Sequence, residues 1–232
     1  MNRNRETAVV IAWAVAVVAS AASAVGLLAL RIERTDSWQW SFLLINLALS
    51  WIPLAFAALV YLPARLGAPR WALIPSSAAW LAFIPNAPYM WTDLVHLAGH
   101  PRPLFVTDLL LISSFAAAGL LAGYASLYLV HAAIERSFGS LAGWLVITCV
   151  LPLVSLGVYI GRVLRWNSWD SLARLDDFLR LAKMRVSDPF GNPMLLAACV
   201  LMTVCLAVGY GIVFALTRLA LISRRGFPLI QP

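Results

Sequence analysis

Long apolar runs, interrupted by short polar stretches, dominate the chain: 8–30, 41–62, 104–130, 141–164 and 194–222. Each reaches the roughly 20 residues that an α-helix needs to cross about 30 Å of hydrocarbon. None alternates apolar and polar positions with a period of two, so nothing reads as a strand. The pattern predicts an all-α, polytopic helical membrane protein with all 232 residues in one integral membrane domain. The small residues Ala22-Ser-Ala24 resemble a signal cleavage site, but the run before and around them exceeds a signal core of about 7–15 residues. The first run is therefore expected to remain as a helix.

One run is different. Trp71–Ile84 is too short to cross alone, and it breaks at Pro85-Asn86-Ala87-Pro88 before an apolar stretch resumes through Ala98. Asn86 is the expected N-cap of the second piece, with Pro88 in its tolerant first turn and Gly99 and Pro101 as the stop. Two half-helices, Trp71–Ile84 and Ala87–Ala98, predict a discontinuous sixth span over 71–98. Were the run re-entrant, the chain would cross five times. Crossing is the preferred reading because it satisfies the backbone of both halves more simply.

Between the runs, Arg31–Ser37 reads as a charged loop followed by interfacial Trp38 and Trp40, Pro63–Arg70 as a basic turn, and His131–Ser140 as a loop with a solvated His131. Pro53 and Pro152 are expected to kink their helices. Asn46 and Ser50 share a face that should meet another helix, and Gly119-Leu-Leu-Ala-Gly123 offers a surface for close helix packing. Over 170–184, Leu172, Leu175, Phe178, Leu179 and Ala182 recur at helical spacing with charges elsewhere, which predicts an amphipathic helix lying in the interface. Asn192 and Pro193 then open the last span.

Composition agrees with lipid as part of the solvent: 62% apolar, 12% charged and a mean hydropathy of +0.85. The net charge of +7 then points to anionic headgroups, and no motif or aromatic-basic patch points to nucleic acid. Basic residues do not settle the orientation. With six spans and the N-terminus inside, Arg3, Arg5, Arg65, Arg70, Arg136, Arg218, Arg224 and Arg225 lie inside. Nine others lie outside, and a five-span reading moves the balance to eleven inside against six. Cys149, Cys199 and Cys205 fall within apolar runs and read as small packing residues.

Ionisable groups at span depth cost about 2.5–3.5 kcal/mol each, so they pair or serve a site. Asp93 and His96, three apart, share a face; Asp108, Arg162 and Arg165 also lie near the ends of apolar runs. The candidate ligand-binding set is Asn86, Tyr89, Asp93, His96, Asp108, Arg162, Arg165, Trp166, Asn167 and Asp170. The arginines could hold an anionic group or pair with Asp93 or Asp108. The competing readings are structural: Asp93 or Thr92 capping free amides, His96 at the headgroups, the arginines snorkelling to phosphates. A metal site would need His100 on the same face, and Gly99 argues against that. No metal, cofactor or catalytic template is indicated, since nucleophile-elbow, zinc-protease, phosphate-loop and dinucleotide motifs are all missing.

Phe83-Ile-Pro-Asn-Ala-Pro-Tyr89 with Thr92-Asp93-Leu94 and His96-Leu97, and later Tyr159-Ile-Gly-Arg162 with Leu164-Arg-Trp-Asn-Ser-Trp-Asp170, resemble two blocks of a bacterial membrane-protein family, domain of unknown function 1361. The resemblance covers the chain from about Trp40 to the last span. It implies a multi-pass protein of the bacterial inner membrane and brings no activity or cofactor. Arg102 and Phe105-Val-Thr107 depart from the aromatic character expected before Asp108, which leaves the role of Asp108 open. The expected function is a non-enzymatic envelope protein that binds or passes a small polar or anionic ligand, with the lipid bilayer, anionic headgroups and a second copy of itself as partners. The alternatives are a membrane-embedded enzyme acting on lipid-linked material through Asp93 and His96, and a structural scaffold.

Overall fold

Long unbroken apolar sequence leaves the backbone one economical solution, the helix, and the chain takes it nearly throughout. The computed structural model describes residues 3–98, 102–163 and 191–223, together with Asp176, Arg180 and Lys183. Its helices are α1 (Arg3–Thr35), α2 (Phe42–Arg65), α3 (Ile74–Phe83), α4 (Asn86–Tyr89), α5 (Arg102–Phe138), α6 (Ser140–Val163) and α7 (Pro193–Ser223). A 3-10 turn, Arg70–Leu73, precedes α3, and a 3-10 segment, Met90–Leu97, continues α4. No strand occurs among the described residues. Five of the helices are long and apolar enough to cross a membrane: α1, α2, α5, α6 and α7. The chain is an all-α polytopic membrane protein. The expected interfacial helix over 170–184 lies outside the described residues apart from Asp176, Arg180 and Lys183, each of which is helical.

Several boundaries differ from those read in the sequence, each for a local reason. The charged stretch after Leu30 is helix as far as Thr35, because Thr35 Oγ1 donates to the Arg31 carbonyl at 2.7 Å and accepts from the Arg31 guanidinium. Asp36 then closes the helix at φ 50°, its amide bonding the Ile32 carbonyl at 2.7 Å. Aspartate tolerates this left-handed geometry better than most residues. The expected loop over 131–140 shrinks to Gly139 at φ 92°, since α5 continues to Phe138.

Side-chain contacts fix which helix ends lie together. At one end Arg65 of α2 donates to Thr7 of α1, and Arg70 donates to the Ser137 carbonyl near the end of α5. Arg218 of α7 pairs there with Glu135 of α5. At the opposite end Asn46 near the start of α2, Arg31 near the end of α1, Asp108 near the start of α5 and Arg162 at the end of α6 meet in two clusters, of which the Arg31–Asp108 pair is buried. The broken segment runs from the first of these ends, at Arg70, to the second, at Asp93.

Glycines open the path for that segment. A Cβ on Gly119 would lie 2.8 Å from the Ala87 carbonyl and 2.7 Å from Met90 Sδ. One on Gly123 would lie 2.8 Å from Ala87 Cβ, and one on Gly157 of α6 would lie 2.5 Å from Pro85 Cγ. The break is thus wedged between bare helix faces of α5 and α6. Trp80 adds an anchor by donating its indole N–H to Ser126 Oγ at 2.8 Å, both side chains being buried.

Asn86 does not cap the second piece: the residue before α4 is Pro85, with no side-chain cap. Only Ile84 and Pro85 separate the two helices, so the Ala87 amide finds the Ile84 carbonyl and the Tyr89 amide finds that of Pro85. The backbone already supplies the acceptors. From Met90 onward the piece is 3-10 rather than α, ending at extended Ala98; the expected stop at Gly99 and Pro101 lies outside the described residues.

Candidate functional site

A carboxylate buried in an apolar bundle must find donors, since an unpaired one is costly by several kcal/mol. Asp93 is 1% exposed and finds them on two different helices. Asn46 Nδ2 donates to its Oδ2 at 2.8 Å, and Arg162 Nη1 donates to its Oδ1 at 3.2 Å. Arg162 sits in the last turn of α6, where the helix dipole favours a cation. Both Asp93 oxygens are therefore engaged, and Asp93 is not an amide cap.

The 3-10 geometry then brings His96 over Asp93, because residues three apart eclipse in such a helix. His96 Nδ1 lies 3.1 Å from the Asp93 carbonyl, 3.9 Å from Asp93 Oδ1 and 3.3 Å from Arg162 Nη2. A guanidinium can only donate and a carbonyl can only accept, so the two contacts ask opposite roles of the same ring nitrogen. The ring also packs on Phe42 of α2, centroids 5.3 Å apart. Tyr89 completes the group: the Arg162 guanidinium carbon lies 5.8 Å from its ring centroid, and Nη1 reaches its hydroxyl at 3.5 Å. Thr92 is occupied locally, donating to the Tyr89 carbonyl at 2.6 Å.

Exposure divides these residues. Asp93 is sealed, whereas His96 is 41% and Arg162 24% exposed. The cluster has a buried anionic floor and a reachable cationic and imidazole edge. Chemically it can accept an anion's oxygens at Arg162 and His96, while Asp93, itself held by Asn46, fixes the guanidinium.

Asp108 belongs to another pair. It is 0% exposed, and Arg31 grips both its oxygens, Nε to Oδ1 at 2.7 Å and Nη2 to Oδ2 at 3.4 Å. Its partner is thus Arg31, whereas Arg162 pairs with Asp93. Asn86 heads α4 at the glycine wedge. Arg165, Trp166, Asn167 and Asp170 lie outside the described residues. Among the described residues no group of three or more His, Cys, Asp or Glu is placed to hold a metal ion.

Asn46, expected only to meet another helix, belongs to the site. Its signal was an amide in an otherwise apolar helix. Arg31 looks like loop in the sequence because three more charges follow it closely.

His131, expected in solvent, is 1% exposed inside α5. Its Nδ1 and the Tyr210 hydroxyl of α7 are hydrogen-bonded at 2.7 Å. Phe214 stacks on the ring at 5.0 Å and Trp144 meets it edge-on at 4.9 Å. Gly143 makes the fit possible, since a Cβ there would stand 2.6 Å from the imidazole Cδ2. This cluster joins α5, α6 and α7 at the end away from Asp93.

A family described as "Protein of unknown function (DUF1361)" matches residues 45–208, a span that contains Asn46, Tyr89, Asp93, His96 and Arg162. No curated protein and no solved structure matches the chain.

Proposed function

Because this chain belongs to the DUF1361 family, whose function is unknown, we propose its role from its own residues: a non-enzymatic cell-membrane protein that binds a small anionic ligand at Asp93, His96 and Arg162. The observation that carries this reading is the unequal exposure within one ion pair, Asp93 at 1% and Arg162 at 24%. A pair kept only to hold helices together has no need of a reachable guanidinium edge beside a half-open imidazole. We place the protein in the inner membrane of a bacterial cell because its spans are apolar helices rather than a closed barrel. We count the broken segment as a sixth crossing, since its two ends contact opposite ends of the bundle.

Acid–base catalysis by Asp93 and His96 has less support. Both Asp93 oxygens are taken, and the imidazole stands 3.9 Å from the nearer one, beyond hydrogen-bond reach.

The test is a thermal-stability screen of the purified protein in neutral detergent against phosphate, sulfate, carboxylate and anionic-lipid probes. Arg162→Lys keeps a cation beside Asp93, and His96→Ala removes a half-exposed ring, so both variants should melt close to the unliganded wild type. At least one anionic probe is expected to raise the wild-type melting temperature by several degrees, with the gain reduced in both variants. Equal gains in wild type and variants, or no gain with any probe, would overturn the proposal.

A further inference from the structure

The charges of the cluster narrow the ligand. Asp93 and Arg162 offset one another at 3.2 Å, and at the same end of the bundle Arg31 and Asp108 offset one another as a separate pair. The remaining titratable group at the guanidinium, among the described residues, is His96. Whichever form its ring takes, neutral or protonated, the three residues together carry a net charge of zero or +1. A singly charged anion is the most that such a set can balance. Attraction to the site grows in proportion to the charge of the ligand, whereas the cost of drawing it out of water grows as the square. Asp93 adds to the penalty, because Asn46 holds its other oxygen at 2.8 Å and keeps the carboxylate beside the guanidinium.

The donors set the shape. Arg162 spends Nη1 on Asp93 and the Tyr89 hydroxyl, yet a guanidinium carries five N–H groups and this one is partly exposed. The His96 ring is held at Nδ1 by its two neighbours and on its face by Phe42, while Nε2 has no partner among the described residues. Where Nδ1 accepts from Arg162, Nε2 carries the ring proton, and a protonated ring donates there too. A ligand that meets both residues brings one oxygen to each. Resting on the anion-binding reading above, we propose that the site selects singly charged oxyanions with two oxygens on one atom, the group shared by carboxylates and phosphodiesters, and rejects doubly charged phosphomonoesters and sulfate. One oxygen takes the Arg162 guanidinium and the other takes His96 Nε2. Asp93 sets the charge limit.

The test titrates full-length protein in neutral-detergent micelles, at matched ionic strength, and follows melting temperature. Methyl phosphate is compared with dimethyl phosphate, because the first passes from one charge to two around pH 6 and the second keeps one throughout. The ratio of their affinities at each pH removes any protonation of the protein that affects both alike. The two should bind within about two-fold of each other at pH 5, and dimethyl phosphate should bind about five-fold tighter at pH 8. Methyl phosphate equal or tighter at pH 8 would overturn the charge limit and leave anion binding standing. Asp93→Asn should raise methyl phosphate affinity at pH 8 about ten-fold relative to dimethyl phosphate, and an unchanged ratio in folded variant would overturn the role of Asp93. Should that variant not fold, the wild-type ratios decide alone. His96→Ala should weaken dimethyl phosphate several-fold; unchanged affinity would place the anion elsewhere and overturn the site. Acetate at pH 8 separates the two sources: tighter binding than dimethyl phosphate supports a carboxylate, and weaker binding supports a phosphodiester. No melting shift with any of the three probes would remove the broader reading as well.

Discussion

Arg31 and Asp108 illustrate how a charge enters an apolar bundle. Each is nearly fully buried, and each would be prohibitive alone, yet together they form a two-pronged pair joining α1 to α5. Removing one partner leaves a buried charge without compensation. Arg31→Met should therefore cost about 3–5 kcal/mol, seen as lost folded yield or a much lower melting temperature in detergent. The double variant Arg31→Met with Asp108→Leu should recover most of that loss, because two well-packed apolar residues replace the pair. A double variant as unstable as the single one would show that the arginine's packing, not its charge, matters. This pair also marks a limit of reading the sequence. Asp93 and Arg162 were legible as prospective partners because both stood out at the ends of apolar runs. Arg31 did not stand out, since Glu33, Arg34 and Asp36 make its neighbourhood look like solvent. Local charge density cannot reveal that α1 continues one more turn or that Asp108 waits across the bundle.

At the scale of elements, the broken segment depends on glycines in the helices that flank it. The Gly119–Gly123 spacing was legible as a close-packing face, but a spacing does not name its partner. The partner is α4 of the same chain, not a second copy. Gly157 carried no motif at all; only the position of Pro85 against it explains its presence. Gly211 in α7 provides an internal control, because a Cβ there meets nothing within 4 Å. Gly211→Ala should be neutral or stabilise by up to about 1 kcal/mol through helix propensity. Gly157→Val should instead push Pro85 out of its seat and destabilise by about 1–3 kcal/mol, the usual range for overpacking. Thermal melts of the two variants check the contrast, and equal behaviour would mean that the wedge is not tight. The 3-10 form of Met90–Leu97 was equally hidden, since the apolar pattern of eight residues fits α and 3-10 alike. Its physical sense is reach: at about 2.0 Å per residue instead of 1.5 Å, the segment gains roughly 4 Å. Asp93, three residues past Met90, gains about 1.5 Å of this and meets Asn46 and Arg162 while Met90 stays seated at Gly119.

For the whole molecule, the helical membrane architecture was plain from hydropathy, whereas the number of crossings was not, because neither half of the broken run is long enough by itself. Orientation was illegible for a related reason: basic residues divide almost evenly between the two ends, and some of them are spent on internal pairs. Arg31 and Arg162 are matched to Asp108 and Asp93 at one end, and Arg218 to Glu135 at the other. Contacts add what counting could not. Thr7 bonds Arg65, Arg70 bonds Ser137, and Glu135 pairs with Arg218, so the α2-to-α3 connection, the α5-to-α6 connection and the far end of α7 share one end of the bundle. The proposed sixth crossing by the broken segment rests on this arrangement. Single cysteines at Ser37, Leu66 and Ser140, in a background without Cys149, Cys199 and Cys205, read it out with a membrane-impermeant maleimide. Positions 66 and 140 should label from the same side and position 37 from the other. A re-entrant segment would put position 140 with position 37 instead, which would refute the sixth crossing. It would also remove the geometric reason for an Asp93 cluster at the leaflet opposite Arg70, since the segment would have to turn back before reaching it.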